Sequence, residues 1–88
     1  MKHASHPAIM AKLKQAQGQI ASIIAMMGEG RSCMELAQQL QAAESIIHLA
    51  KRGLIHDHME HCITDAAGEG GEAAREAMAE FKILSKYL

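Results

Sequence analysis

The stretch His56-Asp57-His58-Met59-Glu60-His61-Cys62 gathers the side chains best suited to chemistry in this chain of 88 residues. His58 and Cys62 are four positions apart, so on a helix they project from one face and can share a metal ion. The competing reading is a solvated polar helix end with a chance thiol. The other cysteine, Cys33, lies 25 residues before His58. On one continuous helix that is a separation of about 37 Å, too far for a shared ion. Two copies of the helix packed antiparallel, crossing near Ile46 and Ile47, remove the difficulty. Cys33 of one copy then lies beside His58 and Cys62 of the other, and two-fold symmetry makes two equal sites. A helix start favours the thiolate, the form that binds metal, so Cys33 suits the part better than an inert apolar role.

Three helices must position these groups. Ser5 and Pro7 open the first, with Ile9, Leu13, Ile20, Ile23, Ile24 and Met27 at helical spacing and Gly28-Glu29-Gly30 as its stop. It is expected over residues 6–28. Ser32-Cys33-Met34-Glu35 is a capping box that starts the second, expected over 32–65 with Leu36, Leu40, Ala43, Ile47, Ala50 and Leu54 as its apolar stripe. Gly53 interrupts that stripe at a cost of about 1 kcal/mol, too little to end the helix. So long a helix suggests packing against another copy of itself. Residues 66–71 read as a flexible break, and a third helix over 72–87 carries Ala74, Ala77, Met78, Phe81 and Leu84. Antiparallel return through the first turn brings His3 and His6 opposite residues 53–56, so either imidazole, or the terminal amine, can supply a further metal ligand. His48 is mid-helix and reads as structural.

Composition points the same way. One Tyr, one Phe and no Trp leave a small chain without its usual core fillers, while seven Met suit adaptable interfaces. The reading is one all-α domain over residues 1–88 that completes its burial by oligomerising. No apolar run is long enough for a membrane span and none resembles a secretory signal, so a soluble, cytoplasmic protein is expected, with its cysteines serving chemistry rather than a structural disulfide. The net charge of −1 is uneven: residues 1–53 carry six Lys or Arg against three Glu, residues 54–88 three against seven acids. Lys12, Lys14, Lys51 and Arg52 form a candidate basic patch for DNA phosphates, the alternative being ordinary solvated surface. No nucleophile–base–orienter set is present, which argues against an enzyme.

Gly18-Gln19, the Cys33 helix start, Leu36-Ala37-Gln38-Gln39-Leu40 and the Cys33…His58…Cys62 spacing together resemble the CsoR/RcnR/FrmR family of bacterial metal- and formaldehyde-sensing repressors. The likeness covers nearly the whole chain. It implies a three-helix protomer forming an antiparallel dimer and then a dimer of dimers, which binds operator DNA when apo and releases it on binding its effector. Within the family, a Cys-His-Cys set matches trigonal copper(I) sites, and the same set with an N-terminal His resembles the nickel sensors. Formaldehyde sensors use a Pro at position 2, where this chain has Lys2; persulfide sensors lack the intervening His. The chain departs from the family in that Met1 aligns with the nickel sensors' N-terminal His, and in carrying Glu44 where many relatives are basic.

Thiolate and imidazole donors suit Cu(I), Ni(II), Co(II) and Zn(II). Two thiolates and one imidazole complete a Cu(I) site, whereas square-planar Ni(II) needs a fourth donor. The His-rich tail, with His56 and His61, favours Ni(II) or Co(II) over Cu(I). The expected function is a metal-responsive repressor with Cys33, His58, Cys62, His3 and His6 as candidate ligands. A Cu(I) sensor of the same kind is the first alternative, and a metal chaperone or store the second.

Overall fold

The computed structural model describes residues 5–69 and 71–88, with the side chains of 61–69 left aside. Among the described residues there are three α-helices and no strand: α1 (His6–Gly28), α2 (Cys33–Glu69) and α3 (Gly71–Leu84), followed by a 3₁₀ turn, Ser85–Tyr87. The chain divides into two compact units. One is Pro7–Ala50; the other combines Ser5 and His6 with Lys51–Leu88. No described helix is long and apolar enough to cross a membrane.

In the Pro7–Ala50 unit, α1 and the first part of α2 form an antiparallel hairpin. Its turn follows from the sequence Gly28-Glu29-Gly30-Arg31. Gly30 sits at φ 73°, a conformation that costs little only without a Cβ. Its N–H donates to the Met27 carbonyl at 3.2 Å, and the Arg31 N–H to the Met26 carbonyl at 3.1 Å. These two bonds form a Schellman motif and satisfy the last carbonyls of α1. Helix α2 is capped at once: the Glu35 N–H donates to Ser32 Oγ at 3.2 Å, and the Ser32 hydroxyl reaches Glu35 Oε1 at 3.2 Å. Arg31 donates to Glu35 Oε2 from Nε at 3.0 Å and from Nη2 at 2.8 Å. At the other end of α1, Pro7 occupies the first turn, where its missing N–H is harmless. Ser5 does not act as the expected side-chain cap, since its Oγ is buried without a hydrogen-bond partner.

The hairpin interior is lined by alanine and isoleucine. Ile9, Ala16 and Ile23 of α1 and Ala43 and Ala50 of α2 are buried. Midway along, Gln19 Nε2 donates to the carbonyl oxygen and to Oε1 of Gln39, both at 3.4 Å. The apolar stripes expected from spacing thus resolve into two faces. The residues seven apart at Ile9, Ala16 and Ile23 turn inward, while Leu13, Ile20, Ile24 and Met27 remain exposed. On α2, Ala43 and Ala50 are inside, while Leu40 and Ile47 are exposed.

In the second unit α2 continues beyond the expected residue 65, through Ala66 and Ala67 to Glu69. Alanine is the strongest helix former and one glycine at position 68 costs only about 1 kcal/mol, so the expected break over 66–71 is not a break until its end. Gly71 opens α3 at φ 59°, which a residue with a side chain rarely adopts. The expected stripe on α3 is rotated: Ala73, Ala77 and Leu84 are half-buried, whereas Ala74, Met78 and Phe81 are exposed. The last residues of the expected helix tighten into the 3₁₀ turn, with the Ser85 hydroxyl donating to the Lys82 carbonyl at 2.8 Å.

Two outcomes follow for the hairpin. Gly30→Ala forces a side chain into the left-handed region, where the open space around the site gives no compensation. It should cost about 1 kcal/mol, read as a lower urea midpoint at unchanged m-value. Glu35 is held below its ordinary 4.5 by the Arg31 hydrogen bonds and charge, so its contribution is complete above that value and is lost as pH falls through the lowered one. The stability difference between wild type and Glu35→Gln should therefore be constant near neutral pH and vanish in acid titrations followed by circular dichroism.

Candidate metal centre

The polar cluster on α2 lies in the second unit. His58 Nε2 is 2.7 Å from Glu80 Oε1, a contact made across 22 residues of sequence. Glu80 belongs to the face of α3 that also carries the half-buried Ala73, Ala77 and Leu84, and from that face it reaches His58 while staying half exposed. A carboxylate that accepts a hydrogen bond from an imidazole N–H fixes the ring's orientation, as the outer partner of a metal-binding histidine does.

A second imidazole approaches from the N-terminus. His6 Nε2 lies 3.9 Å from Asp57 Oδ2. Asp57 is 8% exposed and is the one described charged residue that is buried. His6, Leu54, Ile55, His58, Glu80 and Leu84 line a half-open cavity of about 240 Å³. Its walls are aliphatic, and its polar groups are the two imidazoles and one carboxylate. His6 therefore stands at the same cavity as His58, close to where antiparallel return placed it.

The remaining expected ligands are distributed as follows. Cys33 is exposed and is the first residue of α2, within the Pro7–Ala50 unit. His3 and the side chain of Cys62 lie outside the described residues. Among the described residues, no three His, Cys, Asp or Glu side chains come together as a ready metal site. Donors His6 and His58 share a cavity, and Cys33 lies 25 residues from His58 along α2. His48 and His56 are both exposed, so His48 has no interior role. Lys12, Lys14, Lys51 and Arg52 are exposed as well, and none forms an ion pair among the described residues.

Two residues of the site went unread in the sequence. Asp57 sits inside the cluster itself, but its neighbours drew attention to nitrogen and sulfur donors. Glu80 gave no signal of its own. It is one of three acids spaced four apart, Glu72, Glu76 and Glu80, a pattern that an exposed helix face commonly carries.

The metal-sensitive transcriptional repressor family matches the chain over residues 5–84. Among curated proteins, the copper-sensing transcriptional repressor RicR of Mycobacterium tuberculosis (strain ATCC 25618 / H37Rv) is 32% identical over 69 residues, covering 78% of this chain and 72% of that protein. The copper-sensing transcriptional repressor CsoR of Bacillus subtilis (strain 168) is 31% identical over 77 residues, covering 85% of this chain and 76% of its own length. No solved structure matches the chain. With an oriented histidine at a half-open cavity and a family match over nearly its whole length, the chain belongs to the metal-sensitive transcriptional repressors, proteins that act on DNA rather than as enzymes.

Proposed function

We propose that the protein is a cytoplasmic copper(I)-responsive repressor, acting as a single domain, that binds operator DNA when apo and releases it when metal is bound between subunits. The observation that carries this reading is the His58–Glu80 contact, which joins an imidazole one helical turn before Cys62 to a carboxylate on α3. Cys33 of a partner subunit completes a set of two thiolates and one imidazole, which satisfies trigonal Cu(I) without further donors. The relatives named above are copper sensors, and this weighs against the nickel or cobalt preference that the His-rich tail suggests. His6 and His3 are then candidates for a fourth donor, which square-planar nickel would require and copper would not.

The oligomer is an antiparallel dimer, assembling further to a tetramer. Its support is the row of large apolar side chains left uncovered on α1 and α2, among them Ile24, Met27 and Leu40. Lys12, Lys14, Lys51 and Arg52 are the candidate phosphate contacts. Metal fixes the long helices in one arrangement, and the ratio of DNA affinities between apo and loaded states sets the strength of the response.

Fluorescence anisotropy on the DNA upstream of the protein's own gene tests the whole reading. Apo protein should bind, and Cu(I) at one ion per chain should release it. Release by Ni(II) or Co(II) instead would return the reading to a nickel or cobalt sensor, and stoichiometric metal binding with no operator affinity would make it a chaperone or store. Cys33→Ala should stay folded and bind DNA but lose the metal response; a normal response would sink the shared site. Glu80→Gln removes the carboxylate that orients His58, and metal affinity in chelator competition should fall by about 10- to 100-fold.

A further inference from the structure

One face of α2 carries two charges at matched positions in an apolar row. Leu40, Glu44, Ile47, Lys51 and Leu54 follow one another at alternating spacings of four and three, the stepping of a two-helix seam. Carried outward, the same stepping reaches Cys33 through Ala37 at one end and His58 at the other. Leu40, Ile47 and Leu54 are 52%, 43% and 45% exposed, so much of this row is open to another helix. Glu44 and Lys51 are exposed too, and neither forms an ion pair among the described residues.

We infer that Glu44 of each copy pairs with Lys51 of its partner across an antiparallel seam between two α2 helices, and that these paired charges set the register in which the shared metal site forms. The inference rests on the shared-site reading and deepens it. If Cys33 lies level with the turn between the partner's His58 and Cys62, the two-fold axis passes between residues 46 and 47. Glu44 is then level with the partner's residue 49, only about 3 Å along the axis from Lys51, well within the reach of both side chains. Ile47 meets its own counterpart at the axis, and Leu40 falls beside the partner's Leu54. Apolar residues thus meet apolar ones and the acid meets the base, twice by symmetry.

The same residues oppose the alternatives. A parallel pairing sets Glu44 against Glu44 and Lys51 against Lys51, which is repulsive at both places. Sliding the antiparallel pair by one heptad takes Glu44 opposite position 42 or 56, nine or five residues from Lys51. Lys51 is thereby turned to the partner subunit, leaving Lys12, Lys14 and Arg52 for phosphate.

A charge-swap cycle tests this on the apo protein without DNA, with association followed by sedimentation equilibrium at low salt and subunit-exchange rates used if the assembly is too tight to dilute apart. Glu44→Lys and Lys51→Glu should each weaken association about tenfold, since each replaces two attractions by two repulsions of modest size. The defect should shrink in 1 M salt. The double variant Glu44→Lys/Lys51→Glu should recover to within about threefold of wild type. A double variant as weak as the two single effects combined, or single variants that associate normally, would overturn the pairing while leaving a shared site standing. A wild type that stays monomeric would overturn the shared site and the pairing with it.

Discussion

The bond between His58 and Glu80 is the contact on which the arrangement of the second unit turns. At 2.7 Å, with His58 31% exposed and Glu80 50%, it is short and yet open to solvent. It ties one nitrogen of the imidazole to a carboxylate and so restrains the orientation of the ring. Ala73, Ala77 and Leu84 share one face of α3 with Glu80, and their small or aliphatic side chains let α3 come close enough for the contact to form. The cavity beside it has Leu54, Ile55 and Leu84 as aliphatic walls.

The first unit has a different task, to present Cys33 on a well-defined helix start. The Schellman turn at Gly30, the Ser32 cap and the Arg31–Glu35 pair lie close together in the chain, on either side of Cys33. All of them are exposed, so any one contributes modestly. Acting in series over six residues, they leave little freedom in where α2 begins. The thiol is thus held by local chemistry, while the imidazole is held by a long-range contact.

How much of this was legible in the residues follows from the range of the interactions. The helix starts and the hairpin turn depend on local signals, and Ser32-x-x-Glu35 and Gly28-Glu29-Gly30 stated them openly. Antiparallel return also brought His6 to the neighbourhood of the expected 53–56 region, with its contact falling one residue further on, at Asp57. The division of each apolar stripe into an inner and an outer face did not follow. Leu40 and Ala43 both fit a helical stripe, and only packing against a particular neighbour decides that the alanine goes inside. Glu80 was hidden for a related reason: an acid in a row of acids reads as solvent-facing until a partner on another helix is known. The expected break at 66–71 failed because glycine counts outweighed two alanines that favour helix.

The inner face of the hairpin has a thermal consequence. Ala16, Ala43 and Ala50 make up much of what is buried there, with Ile9 and Ile23 as the larger members. Alanines let two helix backbones lie close, but they remove little hydrocarbon from water. The heat-capacity change on unfolding scales with that hydrocarbon area, so the hairpin alone contributes little of it. A chain built this way has a shallow stability curve by itself, and acquires the curvature of an ordinary globular protein only to the extent that other surfaces come to cover Ile24, Met27 and Leu40.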